Sequence, residues 1–280
     1  MRSALLLIPA LLLAGCSAPI ADDGRVHVVA STNVYGSIVE AIGGEHVSVT
    51  NLIDSAAHDP HSFEASAQAQ LAISKADLVI ENGGGYDDFV DTLLDAASSD
   101  AVIINAAETV DLADGTNEHL WYDLDAMDFV ARAISGELAE LDPENAAAYL
   151  ANLDTFTGEL SDLSARLVDV GAGKSVAITE PVPLYLLQSA GFENVTPDEF
   201  SEAIEEGTDV PPAVLNDTLR VIRDASLLAY NSQTASPETE MVREAAEAAG
   251  VPVIEFTETL PTGESYVSWM RANITAIDEL

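Results

Sequence analysis

DPENAAAYLANLDTFTGELSDLSARLVDV, residues 142–170, decides how the chain is organised. Its apolar positions, Tyr149, Leu153, Phe156, Leu160, Leu163, Leu167 and Val170, follow one another in steps of four and three. On a helix that spacing lays a single stripe along one face. Asp142 suits an N-cap, Pro143 the first helical position and Glu144 the positive end of the helix dipole, while Gly171 can close the far end. At 1.5 Å per residue such a helix runs about 40 Å, the length of a small domain. Taken alone, it reads equally well as one amphipathic helix within a single domain.

The sequences on either side echo one another. Before the helix come the apolar runs at residues 26–31, 76–82 and 101–105; after it come those at 175–179, 225–231 and 251–256. A further strand is expected at 47–53. All alternate with helix-like segments, the pattern of parallel sheets covered on both faces. The expected fold is therefore α/β, with two similar lobes of parallel sheet and helix joined by one long rigid connecting helix. The expected bounds are 26–141 for the N-terminal lobe, 142–171 for the linking helix and 172–280 for the C-terminal lobe. A continuous stripe with only Gly158 as a weak point predicts a stiff spine.

A length of 280 residues accommodates two domains, each with its own core, and an apolar fraction of 48% excludes a disordered chain. The formal net charge is -38, from 48 acidic and 10 basic residues, so nucleic acid is excluded as a partner for want of groups to neutralise phosphate. Such an acid excess keeps a protein soluble and points to a monomer. It attracts cations in general and is not by itself a metal site.

Cys16 is the only cysteine, which excludes disulfides and thiolate metal chemistry. It follows Met1-Arg2, an apolar run over residues 4–13 and Ala14-Gly15, the plan of an export signal rather than a membrane span. Leu13-Ala14-Gly15-Cys16 resembles the bacterial lipobox, which implies a lipoprotein signal peptide over 1–15, lipid on Cys16 and a tether over 16–25. The resemblance implies an exported protein attached to the membrane by that lipid.

Histidine is scarce, with five copies. His27 begins a strand and His46 sits in a turn, both structural positions. His58, His61 and His119 fall in polar loops expected at strand ends, where ligands gather in open α/β sheets. A metal held there would need carboxylates for its remaining ligands.

Asp59-Pro60-His61-Ser62-Phe63-Glu64, followed by Ala76-Asp77-Leu78 and Asn82-Gly83, resembles the zinc- and manganese-binding solute-binding proteins of ABC importers. Glu118-His119-Leu120-Trp121 is similar to the second histidine motif of that family. Glu180 falls where the family places His or Glu. Thr257-Glu258-Thr259-Leu260 is similar to its closing segment, where Asp is usual. The resemblance implies four metal ligands, His61, His119, Glu180 and Glu258, and a lipid-anchored receptor that delivers Mn2+ or Zn2+ to a membrane-embedded ABC permease. Two neutral imidazoles and two carboxylates make a neutral site with M2+, and a carboxylate at 180 in place of a third imidazole puts Mn2+ ahead of Zn2+.

The competing readings are a receptor of similar fold for an organic solute or siderophore, and a metal-dependent hydrolase with Glu64 as base. No G-x-S-x-G elbow supports a serine hydrolase. Gly83-Gly84-Gly85 reads as a tight turn rather than a phosphate loop, because Asp87-Asp88 just beyond it would repel phosphate. Trp121, Tyr122 and Trp269 are expected in the core or at the lobe interface.

Overall fold

The computed structural model of the chain describes residues 24–55, 63, 66–113 and 115–280. Cys16, His58, His61 and Glu64 lie outside these residues. The first half runs β1 (Val26–Thr32), α1 (Asn33–Gly43), β2 (Val47–Ile53), α2 (Ala67–Ile73), β3 (Leu78–Glu81), α3 (Phe89–Ala97), β4 (Val102–Asn105), α4 (Ala106–Thr109) and α5 (Leu124–Leu141). After α6 (Ala146–Leu167) the second half runs β5 (Ser175–Ile178), α7 (Leu184–Ser189), β6 (Glu193–Asn194), α8 (Asp198–Glu205), α9 (Pro212–Val221), β7 (Leu227–Asn231), α10 (Pro237–Ala249), β8 (Val253–Phe256) and α11 (Tyr266–Asp278).

The strands form two four-stranded sheets, ordered β2-β1-β3-β4 and β6-β5-β7-β8, and every pairing is parallel. Each order is the other shifted by four strands, so the two halves repeat one topology. In both, the chain reverses direction across the sheet between the first strand and the third. Such a switch point leaves a crevice beyond the carboxyl ends of those strands.

The long helix forms, with one adjustment at each end. Pro143–Asn145 is a 3-10 turn rather than the first turn of α6. Asp142 ties it down: its carboxylate accepts from Asn145 Nδ2 and from Tyr149 Oη, both at 2.7 Å. These bonds hold the Asp142 carboxyl below the usual carboxylate range. The helix ends at Leu167, three residues before the stripe does, because Asp169 turns to a positive φ of 63°. Tyr149, Leu153, Phe156, Leu160, Leu163 and Leu167 are all buried, as the spacing requires.

That stripe is covered by α1, α5 and α11. One apolar cluster runs from Val28 and Leu78 in the first sheet, through Met127, Phe156 and Ile274, to Val176 and Leu227 in the second. Smaller clusters fill the outer faces, around Val79 and Val90 in one half and Phe200 and Val242 in the other. The helix α11 begins with a capping box, Ser265 and Ser268 satisfying each other's backbone N–H, and returns from the second half to pack on α6 and α1. Among the described residues no helix is long and apolar enough to cross a membrane.

Gly158 lies on the exposed side of α6, and a Cβ there would meet nothing within 4 Å. Gly158→Ala should therefore raise stability by about 0.5–1 kcal/mol through lower chain entropy in the unfolded state. Urea unfolding followed by circular dichroism checks this, and the midpoint should rise with no change in slope.

Candidate metal centre

The site residues sit where the switch points place them. Glu180 follows β5, Asn231 ends β7 and Glu258 follows β8. All three are buried, at 3%, 2% and 1% exposure. Asn231 Nδ2 donates to Glu180 Oε2 and, at 2.9 Å, to Glu258 Oε1, so one amide holds both carboxylates together. Thr234 Oγ1 also donates to Glu180 Oε2. The backbone N–H groups of Glu258 and Thr259 both donate to Gln233 Oε1, which fixes the turn that presents Glu258.

From the first half, Tyr86 Oη donates to Glu258 Oε2 at 3.1 Å. The glycine turn puts it there. Gly83, Gly84 and Gly85 all have positive φ, and a Cβ on Gly83 would lie 2.2 Å from Asn105 Oδ1. Asp87 clamps the turn by accepting from the N–H groups of Asn82 and Gly83 at 2.7 and 2.8 Å. Burial, and then the Glu258 carboxylate, keep the Tyr86 phenol well above its ordinary pKa, so it remains a donor.

His119 is fully buried in a box of aromatic rings, with Trp121 at 5.1 Å and Tyr86 at 5.9 Å between centroids. Asn117 Oδ1 accepts from the backbone N–H of His119 at 3.1 Å and lies 2.7 Å from its Nδ1. Accepting a backbone N–H identifies this atom as the amide oxygen, so Nδ1 of the neutral imidazole is the protonated nitrogen and Nε2 the basic one. Asn117 also crosses to the second half: its Nδ2 donates to the carbonyl of Pro181, next to Glu180, at 3.0 Å. Asn82 Nδ2 supports the same loop by donating to the Glu118 carbonyl at 2.9 Å.

His119 Nε2 lies 3.4 Å from Oε1 of Glu205, at the end of α8. Glu118, His119 and Glu205 offer three ligand atoms within 4.8 Å of one another, the one such group among the described residues. Three of the four expected ligands, His119, Glu180 and Glu258, are thus buried around one interlobe region. Glu180 and Glu258 meet on Asn231, whereas among the described residues His119 groups with Glu118 and Glu205. His61 lies outside the described residues.

Sequence reasoning missed Asn231, Tyr86, Asn117 and Glu205. Only Asn231 had a local signal, a polar residue closing the apolar run Leu227-Leu-Ala-Tyr-Asn231, as Asn82 closes Leu78-Val-Ile-Glu-Asn82. The expectation for the aromatic residues holds: Trp121, Tyr122 and Trp269 are buried. Tyr122 Oη donates across the interface to the Thr257 carbonyl at 2.8 Å, and Tyr266 Oη returns a bond to that of Trp121 at 2.7 Å.

Two sheets of one topology, a helical spine and buried polar side chains between the halves make the plan of a two-lobed solute receptor. The chain belongs to the family of the periplasmic zinc-uptake complex component A, whose profile it matches over residues 28–280. These proteins are receptors of ABC importers and not enzymes. The chain is 26% identical to the manganese-binding lipoprotein MntA of Halalkalibacterium halodurans, over 97% of this chain and 95% of that protein. It superposes on the solute-binding protein FpvC of Pseudomonas aeruginosa, in complex with Mn2+, with a TM-score of 0.75 and 26% identity, covering 91% of this chain and 97% of that one. A crystal structure of ZnuA matches with a TM-score of 0.76 at 22% identity, over 91% and 98% of the two chains.

Glu81, at the end of β3 beside the clamped turn, is 4% exposed. Burial pushes its carboxyl up to about 7 from 4.5, with Asn105 opposing and Asp87, Asp91 and Glu108 reinforcing the rise. A raised acid pKa in the folded state means stability present below pH 4.5 is lost as pH climbs through 7. Glu81→Gln, which stays neutral, should gain up to about 3 kcal/mol on the wild type between pH 4.5 and 8. Denaturant titrations of the metal-free proteins across that range check this; parallel pH profiles would contradict it.

Proposed function

We propose that the chain is an extracytoplasmic, lipid-anchored receptor that binds a divalent transition metal through His61, His119, Glu180 and Glu258 and delivers it to an ABC permease. The observation that carries this reading is the pair of buried carboxylates, Glu180 and Glu258, held side by side on one Asn231 amide. Burying two carboxylates together is costly unless a cation joins them. A buried His119 with its tautomer set by Asn117 is the arrangement that metal-binding imidazoles require. The ion we favour is Mn2+ ahead of Zn2+, because carboxylates supply half of the proposed donors. The manganese named in MntA and held by FpvC supports the same choice.

In this reading residues 1–15 are a signal peptide, Cys16 carries the lipid and 16–25 form a tether. The N-terminal lobe spans 26–141, the linking helix 142–171 and the C-terminal lobe 172–280, and the protein acts as a monomer. Interlobe bonds from Asn117, Tyr122 and Tyr266, together with the packed spine, support small rocking of the lobes rather than wide closure.

Calorimetric titration of Mn2+ and Zn2+ tests the site. The wild type should take one ion per chain, and a thousandfold excess over Kd should stabilise it by about 4 kcal/mol. His61→Ala, His119→Ala, Glu180→Ala and Glu258→Ala should each weaken binding by more than tenfold, while Glu258→Asp is tolerated. Variants that all bind as the wild type would place the site elsewhere.

Membrane fractionation tests the anchor. Cys16→Ser should move the protein to the soluble fraction, and an intact mass showing unmodified Cys16 in the native protein would overturn the lipid assignment.

A further inference from the structure

Asn117, Glu118 and His119 belong to no helix or strand, so the place of His119 depends on what tethers this stretch. One tether comes from its own half, where Asn82 Nδ2 donates to the Glu118 carbonyl at 2.9 Å. Two come from the second half, and both end on Asn117. Tyr185 Oη donates to the Asn117 carbonyl at 2.6 Å, and Asn117 Nδ2 donates to the Pro181 carbonyl at 3.0 Å.

The two second-half partners move as one piece. The Pro181 carbonyl also accepts from the Leu184 N–H at 3.0 Å, which secures the first turn of α7, and Tyr185 lies in that turn. Burial, and then Asp123 and Glu118, raise the Tyr185 phenol above its ordinary pKa, so it remains a donor. Pro181 directly follows Glu180. Asn117 thus grips the segment behind one buried carboxylate while its Oδ1 accepts the backbone N–H of His119 and lies 2.7 Å from Nδ1.

A side-chain amide is planar, so its two ends turn together. Neutral imidazole binds a metal through the nitrogen that carries no proton, and the partner of the other nitrogen decides which one that is. With Oδ1 in place the proton stays on Nδ1; an amide drawn away with α7 no longer selects that tautomer or orients the ring. A separation of about 1 Å carries both second-half tethers out of hydrogen-bonding range, which a small rocking supplies.

Resting on the receptor reading above and deepening it, we propose that Asn117 is a positioning residue that makes the metal affinity of His119 depend on how the halves sit. Seated on α7 it holds the imidazole ready for the ion; displacement of α7 frees the ring and weakens the site. A receptor that must first hold its ion and then surrender it gains a release step from that link.

The test compares the wild type with Asn117→Ala, Asn117→Asp, Tyr185→Phe and the double variant Asn117→Ala/Tyr185→Phe. Affinities for Mn2+ and Zn2+ are measured by chelator competition, and nitrogen NMR of histidine-labelled, metal-free protein reads the His119 tautomer. Asn117→Ala should bind about 10–100-fold more weakly and lose the pure Nδ1–H tautomer. Asn117→Asp, which keeps an acceptor oxygen, should restore the tautomer and most of the affinity. Tyr185→Phe leaves the imidazole and its acceptor in place, and should cost about two- to tenfold, the worth of one neutral hydrogen bond. In the Asn117→Ala background it should cost nothing further, because the link is already cut.

Thermal melts of the metal-free proteins establish that each variant is folded. Should Asn117→Ala not fold, the other two single variants decide: loss of the Nδ1–H tautomer in Asn117→Asp, or wild-type affinity in Tyr185→Phe, overturns the proposal. Additive losses in the double variant, or a wild-type tautomer in Asn117→Ala, overturn it as well. A wild type that binds neither ion overturns the receptor reading, from which the tautomer measurement on metal-free protein stands apart.

Discussion

Two carboxylates on one amide nitrogen are the constraint around which this molecule is arranged. Glu180 and Glu258 are buried and meet at Asn231. One hydrogen-bond donor compensates only part of what two such groups lose on leaving water. Thr234, Gln233 and Tyr86 supply further polar support, and each comes from a turn or strand end that must be placed correctly by its sheet. The interlobe region is therefore a preorganised cluster of acceptors held in place by the fold. Preorganisation of this kind shifts the cost of assembling a binding site onto the folding of the scaffold.

The repeat of topology explains why the cluster forms between the halves. Val28 pairs with Leu78 in the first sheet as Val176 pairs with Leu227 in the second, which makes Asn82 and Asn231 counterparts at the ends of equivalent strands. Both act as brackets. Asn231 joins two carboxylates within its own half, whereas Asn82 accepts from Tyr35 Oη and supports the backbone before His119. The same structural position thus serves one half through its acidic side chains and the other through the loop that carries its imidazole. Single-topology halves facing each other bring both switch points to a common crevice.

Much of this was legible in sequence because it depends on local pattern. The stripe of α6, the four strands of the first sheet and three of the second follow from periodicity, and the glycine turn follows from its residues. The strand β6 was not, because Glu193 and Asn194 have no apolar signature and pair only through their neighbours on β5. The start of α6 differs because the Asp142 side chain bonds to Asn145 and Tyr149, which favours a tighter first turn. Within the site, His119, Glu180 and Glu258 stand in recognisable motifs. Tyr86 and Glu258 are 172 residues apart, and Asn231 and Glu180 are 51 apart. No local pattern encodes contacts of that range, and an acid ending an otherwise unremarkable helix conceals Glu205 equally well.

The return of α11 to the first half has a consequence for how the chain acquires its structure. Tyr266 N–H donates to Ser37 Oγ across 229 residues of sequence, and Arg166 and Arg271 reach between α6 and α11. Trp269, Met270, Ile274 and Ile277 join the apolar cluster that α1 and α6 share. The spine is consequently not finished when its own residues are made; its cover arrives with the last helix. Such a wide closure in sequence makes assembly late and non-local. Loss of the terminal segment, by nonsense mutation or by a protease, would strip the central seam of the molecule rather than trim its edge.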